Sequence, residues 1–497
     1  MSARWVQRLC RALLGLAGLA LVAALGLALA WLPWKWAAVL IVGCAAALVL
    51  LVRPELTLVL LAFAVPFGSI RELPLGPVNV GAAELLMGIL LAAWLARMVA
   101  ARRIVIPRAP LLVPLLVFLG AISFSTLASV SLELSAKEIV KWVEVLIIYL
   151  FMASLIPTEV PQSTGGLDWT VLALLAAGSA EALVGVYQFL LRVGPEGFVL
   201  FGRFMRAYGH FAQPNPFAGY LGLGIPLAYA LTLEGLQVWP QLAAQARSGL
   251  RQALVQALPY AAALAALGIM STAMLMSWSR GAWVGLAAAL VMVTVVRSRR
   301  ALAMAVALGL VLSYVLLIGG AKYLPPALVQ RVSDFLPYVG GVDVRAVQVT
   351  DANFAVVERM AHWLAAVGMF SDRPWLGVGI GNYPEAYSRY AIGRWRDPLG
   401  HAHNYYLNIA AEAGVVGLLA YLLLFGACLY YAWRVVQRAR GCGRALALGA
   451  LGALVHLSVH SLFDNLWVHS MNVQLGLVLG LLAMADASAG ACDAHRD

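Results

Sequence analysis

The sequence predicts an all-α, polytopic integral membrane protein with about 12–14 transmembrane helices and a large extracytoplasmic loop near residues 320–403. Three observations predict it. The chain is 63% hydrophobic and only 11% charged, with a mean hydropathy of +0.87, where a soluble domain averages roughly 45–50% apolar and 25% charged residues. Apolar stretches of spanning length recur along nearly all of the 497 residues. Finally, Lys and Arg lie mostly between those stretches, as at Arg97, Arg102, Arg103 and Arg108. The net charge of +11 is therefore a topological signal, and nucleic acid is not an expected partner.

The expected spans run at about 12–31, 34–52, 56–70, 80–99, 110–129, 139–156 and 168–191 in the first half of the chain. They continue at about 216–233, 255–275, 281–296, 301–319, 404–433, 444–463 and 468–486. Each must be helical, because hydrocarbon offers no partner to an unsatisfied backbone group. The N-terminal flank of Arg4, Arg8 and Arg11 before a Leu/Ala run resembles a signal peptide, but Trp31 and Lys35 lead directly into a second apolar run. No small-residue cleavage site stands out, so the segment is expected to be a retained span. Cys10, Cys44, Cys428, Cys442 and Cys492 show no C-x-x-C spacing, and no disulfides are expected.

Cytoplasmic loops of membrane proteins carry the Lys/Arg excess. One alternate set holds Arg53, Arg97 to Arg108, Arg247, Arg251, Arg297, Arg299, Arg300 and Arg434 to Arg444, and it is assigned to the cytoplasm. The opposite set holds 193–215, the turn at Ser277 to Gly281 and the long segment 320–403. Four regions follow: N-terminal spans over 1–200, central spans with arginine motifs over 201–319, a loop domain over 320–403, and C-terminal spans with a cytoplasmic tail over 404–497. Within the loop an amphipathic helix is expected from Phe354 to Phe370, and Trp363, Trp375 and Trp395 suit a membrane interface.

The motifs gather on the extracytoplasmic side. His401-Ala-His403-Asn404 stands where the long loop enters a span, a place that suits a group titrating near neutrality. The plainer reading is an interfacial histidine bonded to a loop carbonyl. Arg280, between two apolar spans, needs a partner or a water-filled cavity there, since a buried cation costs a few kcal/mol; the alternative is a side chain snorkelling to headgroups. Arg203, Arg206 and His210 precede a helix start at Pro214-Asn215-Pro216, and guanidinium forks and helix N-termini both bind phosphate. Together these sites imply an anionic substrate.

Other features read more plainly. The run Gly377 to Asn382 lacks the strand and acidic residue of a dinucleotide site and is expected to be a tight loop turn. His456, His460, Asp464 and His469 flank a span end with one carboxylate, which suits helix packing and loop hydrogen bonds better than a metal, and no metal or other cofactor is expected.

At these residues the chain resembles the O-antigen ligase and polymerase superfamily, most strongly over about 195–470. The resemblance rests on Ser279-Arg280-Gly281, on Arg359 to Trp363 leading into Asp372-Arg373-Pro374-Trp375, and on His403-Asn404 before Leu407, all in the family order. It implies an inner-membrane enzyme of bacteria. Such an enzyme moves a glycan from undecaprenyl diphosphate to a glycolipid or glycan hydroxyl at the periplasmic face, inverting the sugar carbon without a metal. His403 then matches the family base, and Arg280 with one of Arg203 or Arg206 matches the diphosphate-binding arginines. Asn215, Arg359, Asn404 and His401 are expected around the substrate. Two alternatives remain open: a polysaccharide polymerase, and a bicarbonate-like solute transporter, whose relatives the ending His460-Ser461-Leu462-Phe463-Asp464 also resembles. Glu84, Glu144 and Glu181 within or near spans keep transport in play.

Overall fold

A computed structural model describes residues 30–70, 73–75, 78–103, 106–107, 109–155, 169–318, 322, 325–333, 343–350 and 353–494, with scattered positions between 16 and 27. Most of the first expected span, 12–31, lies outside the described residues. Among the described residues the architecture is helical, with only two short antiparallel hairpins, Leu73–Leu75 with Val78–Val80 and Val199–Leu200 with Phe204–Met205.

Among the described residues, eight helices are long and apolar enough to cross a membrane: Trp34–Val52, Ala82–Ala100, Trp169–Leu191, Pro214–Ala246, Leu250–Met276, Arg280–Arg297, Tyr405–Arg438 and Gly441–His460. Shorter apolar helices at Pro54–Phe67, Leu112–Ala128 and Met471–Ala487 accompany them. Leu132–Ser154 fills the remaining expected span in that region, but charged residues occupy its first half. Many of these helices are apolar all round, as expected where one face meets protein and the other meets lipid. Leu254, Val255, Leu258 and Leu264, for example, are exposed on the Leu250–Met276 helix.

Helix contacts rely on small residues, which let backbones approach where no hydrophobic force separates helix from lipid. A Cβ added at Gly449 would lie 2.6 Å from the Cα of Leu227, so the Gly441–His460 helix touches Pro214–Ala246 backbone to backbone. This contact fixes the two helices that later carry Asn215 and His460.

Successive helices reverse direction, so the connections fall into two sets. One end of the bundle collects the described residues of the connections 68–81, 126–131, 192–213, 277–279, 318–404 and 461–470. The opposite end collects Arg53, Arg102, Arg103, Arg247, Arg297 and Arg438 to Arg440, the set richest in simple basic flanks.

The loop domain is bolted to the first of these ends. Its amphipathic helix runs Phe354–Asp372, and the glycine run after it is a turn, as expected. Val378 N–H donates to the Ala411 carbonyl at 2.9 Å and Gly379 N–H to the Glu412 carbonyl at 2.8 Å. The Asn382 carboxamide accepts from Ser131 N–H at 2.6 Å and donates to Ser135 Oγ at 2.9 Å. Gly379 has a φ of +97°, and a Cβ there would lie 2.3 Å from Ser129 Oγ. Only glycine admits that approach, so the run is a backbone clasp. The Tyr405–Arg438 helix breaks at Gly414, where φ is 65°, and the break lets Val415 N–H reach the Pro374 carbonyl at 2.7 Å.

The three carboxylates that kept transport open serve local contacts. Glu84 accepts from Gly81 N–H at 2.9 Å, Glu144 accepts from Asn472 Nδ2 at 2.5 Å, and Glu181 accepts from His210 N–H at 2.6 Å.

Candidate functional site

The site begins where the loop domain re-enters the bundle. Asn404 caps the Tyr405–Arg438 helix, its Oδ1 accepting from Tyr406 N–H at 3.0 Å and Leu407 N–H at 3.1 Å. An N-cap residue takes extended backbone angles, which sets the direction of the residue before it. That residue, His403, sits at a φ of 52°, in the left-handed region that costs a β-carbon-bearing residue about 1–3 kcal/mol. Asn404, expected from sequence beside the substrate, thus spends its side-chain oxygen on capping this helix.

His403 Nδ1 lies 3.1 Å from Asp464 Oδ1, on the turn after the Gly441–His460 helix. Because a carboxylate only accepts, Nδ1 carries the proton in this contact, and a neutral ring then keeps its lone pair on Nε2. That Nε2 is buried with no partner among the described residues. The neighbouring His401 accepts the His403 backbone N–H on Nδ1 at 3.1 Å and turns Nε2 toward Asp464 Oδ1 at 3.9 Å. Burial, then the nearby His403, pushes His401 down to about 4, so it is neutral at ordinary pH. Burial alone would raise the Asp464 carboxyl, yet the hydrogen bond and charge of His403, with His401 and Arg359, hold it well below the usual carboxylate range.

The second carboxylate oxygen leads to the arginines. Asn215 Nδ2 donates to Asp464 Oδ2 at 2.6 Å, and Arg206 Nη2 donates to Asn215 Oδ1 at 3.0 Å. Arg206 Nε donates to the Ser277 carbonyl at 2.8 Å. One chain of hydrogen bonds therefore runs from Arg206 to His403 through three separated segments of sequence. Beside it opens a small polar cleft lined by Asn215, Arg280, Arg331, Arg359, His460 and Phe463. Arg331, from the short Pro326–Ser333 helix, donates to the Trp278 carbonyl at 3.1 Å, which holds that helix over the 277–279 turn.

The electrostatics are one-sided. Burial first, and then Arg331, Arg359 and Arg280, push Arg206 well below the usual arginine range; burial and Arg359 push Arg331 down to about 10. Guanidinium stays protonated at such values. The shifts reflect burial first and crowding of like charge second, and a bound anion would relieve the second.

Of the residues expected from sequence, His401, His403, Asn404, Arg206, Asn215, Arg280 and Arg359 fall in or beside this cluster. Arg203 does not: it is exposed, with its guanidinium 5.2 Å from the Phe204 ring centre. Two further members escaped sequence reading. Asp464 had been assigned to packing and loop hydrogen bonds, and Arg331 lay in a loop that offered no motif. Their signal was compositional only: an acid at a span end, and one more arginine on the face already holding the others.

His401, His403 and Asp464 present ligand atoms all within 4.8 Å of one another, a set that can hold a transition metal by type. The surrounding guanidiniums oppose a further dication, and Asp464 already accepts from Asn215 and His403. The residues present fit an anion better than a metal.

The bundle, with a cationic cleft and a histidine–aspartate pair at one end, defines a multi-pass helical membrane protein. Residues 265–422 match the family model described as O-antigen ligase, so that stretch of the chain is similar to the O-antigen ligases. The matched segment contains Arg280, Arg331, Arg359 and His403, while Arg206, Asn215 and Asp464 lie outside it. No curated protein matches the chain.

Proposed function

We propose that the protein is an O-antigen ligase-type glycosyltransferase that moves a glycan from undecaprenyl diphosphate to an acceptor hydroxyl of lipid A-core or another glycan. The reaction takes place on the periplasmic side of the bacterial inner membrane. The observation that carries this reading is the unpartnered Nε2 of His403, backed by Asp464 and joined through Asn215 to a cleft of arginines.

In this mechanism the arginines hold the donor diphosphate and stabilise the charge that gathers on it as the sugar–oxygen bond breaks. Cations fixed in a partly dry site supply several kcal/mol of such stabilisation. His403 Nε2 accepts the proton of the acceptor hydroxyl as that oxygen bonds to the anomeric carbon. Asp464 keeps the ring in the accepting tautomer and stabilises the imidazolium that forms, the division of labour known from serine-protease triads. General base catalysis of this kind contributes typically about 10² to 10⁴ in rate. Undecaprenyl diphosphate leaves with the electron pair, the acceptor attacks from the opposite face, and the anomeric configuration inverts. The leaving group is already an anion, so the scheme needs neither a metal nor a general acid.

The test is a strain lacking the protein, with surface glycans and lipid-linked intermediates both measured. Loss of attached polymer with accumulation of full-length lipid-linked chains supports the ligase. Accumulation of single repeat units makes the protein a polymerase instead, and unchanged glycans overturn the reading.

A further inference from the structure

Two polar residues of the Trp169–Leu191 helix have no task in glycan transfer, yet both are buried: Glu181 is 0% exposed and Gln188 7%. They stand seven positions apart, about two turns along one face, and both are spent on three consecutive loop residues, Tyr208, Gly209 and His210. Gln188 Oε1 accepts Tyr208 N–H at 3.1 Å and Gly209 N–H at 2.7 Å, and its Nε2 donates to the Gly209 carbonyl at 3.0 Å. Glu181 Oε1 accepts His210 N–H at 2.6 Å, and its Oε2 lies 2.8 Å from the ring Nδ1. Gly209 sits at a φ of 56°, and a Cβ there would run into Glu181 Oε1, so the chain passes directly against the carboxylate.

Ionisable groups inside a spanning helix are costly and seldom idle. Glu181 lies ten positions before the helix ends at Leu191, about 15 Å along its axis, so the loop reaches back along the helix to meet it. The loop's backbone groups need protein partners there, because lipid supplies none. The same loop is the piece of chain between Arg206 and Asn215. Upstream of the strap, Ala207 N–H donates to the Met276 carbonyl at 3.0 Å and Arg206 Nε to the Ser277 carbonyl at 2.8 Å. Five residues beyond the strap, Asn215 bridges Arg206 to Asp464. Both ends of the strapped loop therefore enter the hydrogen-bond chain that leads to His403.

We propose that Gln188 and Glu181 are positioning residues for the transfer reaction: the strap they form on residues 208–210 sets where Arg206 and Asn215 stand. Neither touches the substrate. Buried polar contacts are weak evidence of stability, and their best attested use is to select one register among several. Here the register is the depth at which the loop lies against the helix. A slip of the loop would carry Arg206 off the Ser277 carbonyl and Asn215 off Asp464. The inference rests on the reading of the cleft as a lipid-diphosphate site and adds the residues that keep Arg206 in place there.

The experiment is calorimetric titration of the full-length protein in nanodiscs with inorganic diphosphate, for wild type, Gln188→Met, Gln188→Glu, Arg206→Ala, Arg280→Ala, and Gln188→Met combined with Arg206→Ala. Gln188→Met, which fills the same space without hydrogen bonds, should bind about tenfold more weakly, within the usual range of coupling between linked residues. Gln188→Glu keeps an acceptor for both amides and should recover most of the affinity. In the Arg206→Ala background Gln188→Met should cost nothing further, because the side chain it places is gone. Gly209→Ala, which displaces the same loop and leaves the helix intact, takes its place if Gln188→Met does not fold. Full affinity in the Gln188 or Gly209 variant, even with a lowered melting temperature, or an equal loss in both backgrounds, would make the strap a packing feature and overturn the inference while the donor reading stands. Full affinity in Arg206→Ala and Arg280→Ala would overturn both.

Discussion

His403 donates from Nδ1 to Asp464 Oδ1 at 3.1 Å across 61 positions of sequence, and the same carboxylate receives Asn215 on its other oxygen at 2.6 Å. One acid thus orients the proposed base and ties it to the residue that bridges to Arg206.

If His403 accepts the hydroxyl proton, His403→Ala should lower turnover by about 10² or more while keeping donor affinity. Asp464→Asn should cost a comparable factor, because an amide facing Nδ1 no longer favours the accepting tautomer, and His401→Ala should cost less. Rates and donor affinities of purified variants in nanodiscs decide this. A normal rate with weak donor binding in His403→Ala would make the histidine a phosphate ligand and pass the base role to Glu358 or Glu385 of the loop domain.

Arg206→Ala should weaken donor binding strongly, whereas Arg203→Ala should be nearly silent, since its guanidinium lies exposed over Phe204. Arg280→Lys should lose most activity despite keeping its charge, because an ammonium cannot bridge two phosphate oxygens as a planar fork does. Chelator treatment of the same preparations should leave the rate unchanged. Wild-type behaviour of Arg280→Lys would reduce that residue to a point charge.

Acid should loosen the site before it unfolds the bundle. Burial pushes His401 and His362 each down to about 4 from an ordinary value near 6.5, so between these pH values the unfolded chain binds more protons than the folded one. Stability is then fully present above about 6.5 and is lost as pH falls toward 4. Thermal unfolding in detergent across this range should show the decline. His362→Gln should flatten it, unless the histidines titrate as they would in water, in which case wild type would show no slope.

The orientation has its own test, a cysteine at the exposed position Asp343. Asp343→Cys should react with an impermeant thiol reagent in intact spheroplasts. Reaction only after lysis would put the site in the cytoplasm and remove the periplasmic assignment.

Much of this was legible in the linear chain because the membrane leaves few choices. Apolar stretches of spanning length must become helices in hydrocarbon, and basic flanks in alternate loops assign the ends. The placement of Arg280 and His403 at those ends followed from counting alone. What the linear chain could not contain was proximity between segments. Asp464 reads as one acid at a span end until the Gly441–His460 helix, drawn against Pro214–Ala246 at Gly449, carries it to His403. Arg203 and Arg206 are indistinguishable as letters three positions apart, and only the hairpin Val199–Leu200 with Phe204–Met205 turns one outward and leaves the other facing Asn215. The glycine run at 377–381 reads as a tight turn in the linear chain, and its use as a clasp depends on which segments pass within 3 Å of it. Hydropathy is a property of each segment by itself and can be summed along the chain. A site is a set of distances between segments, and those are decided only when the helices pack.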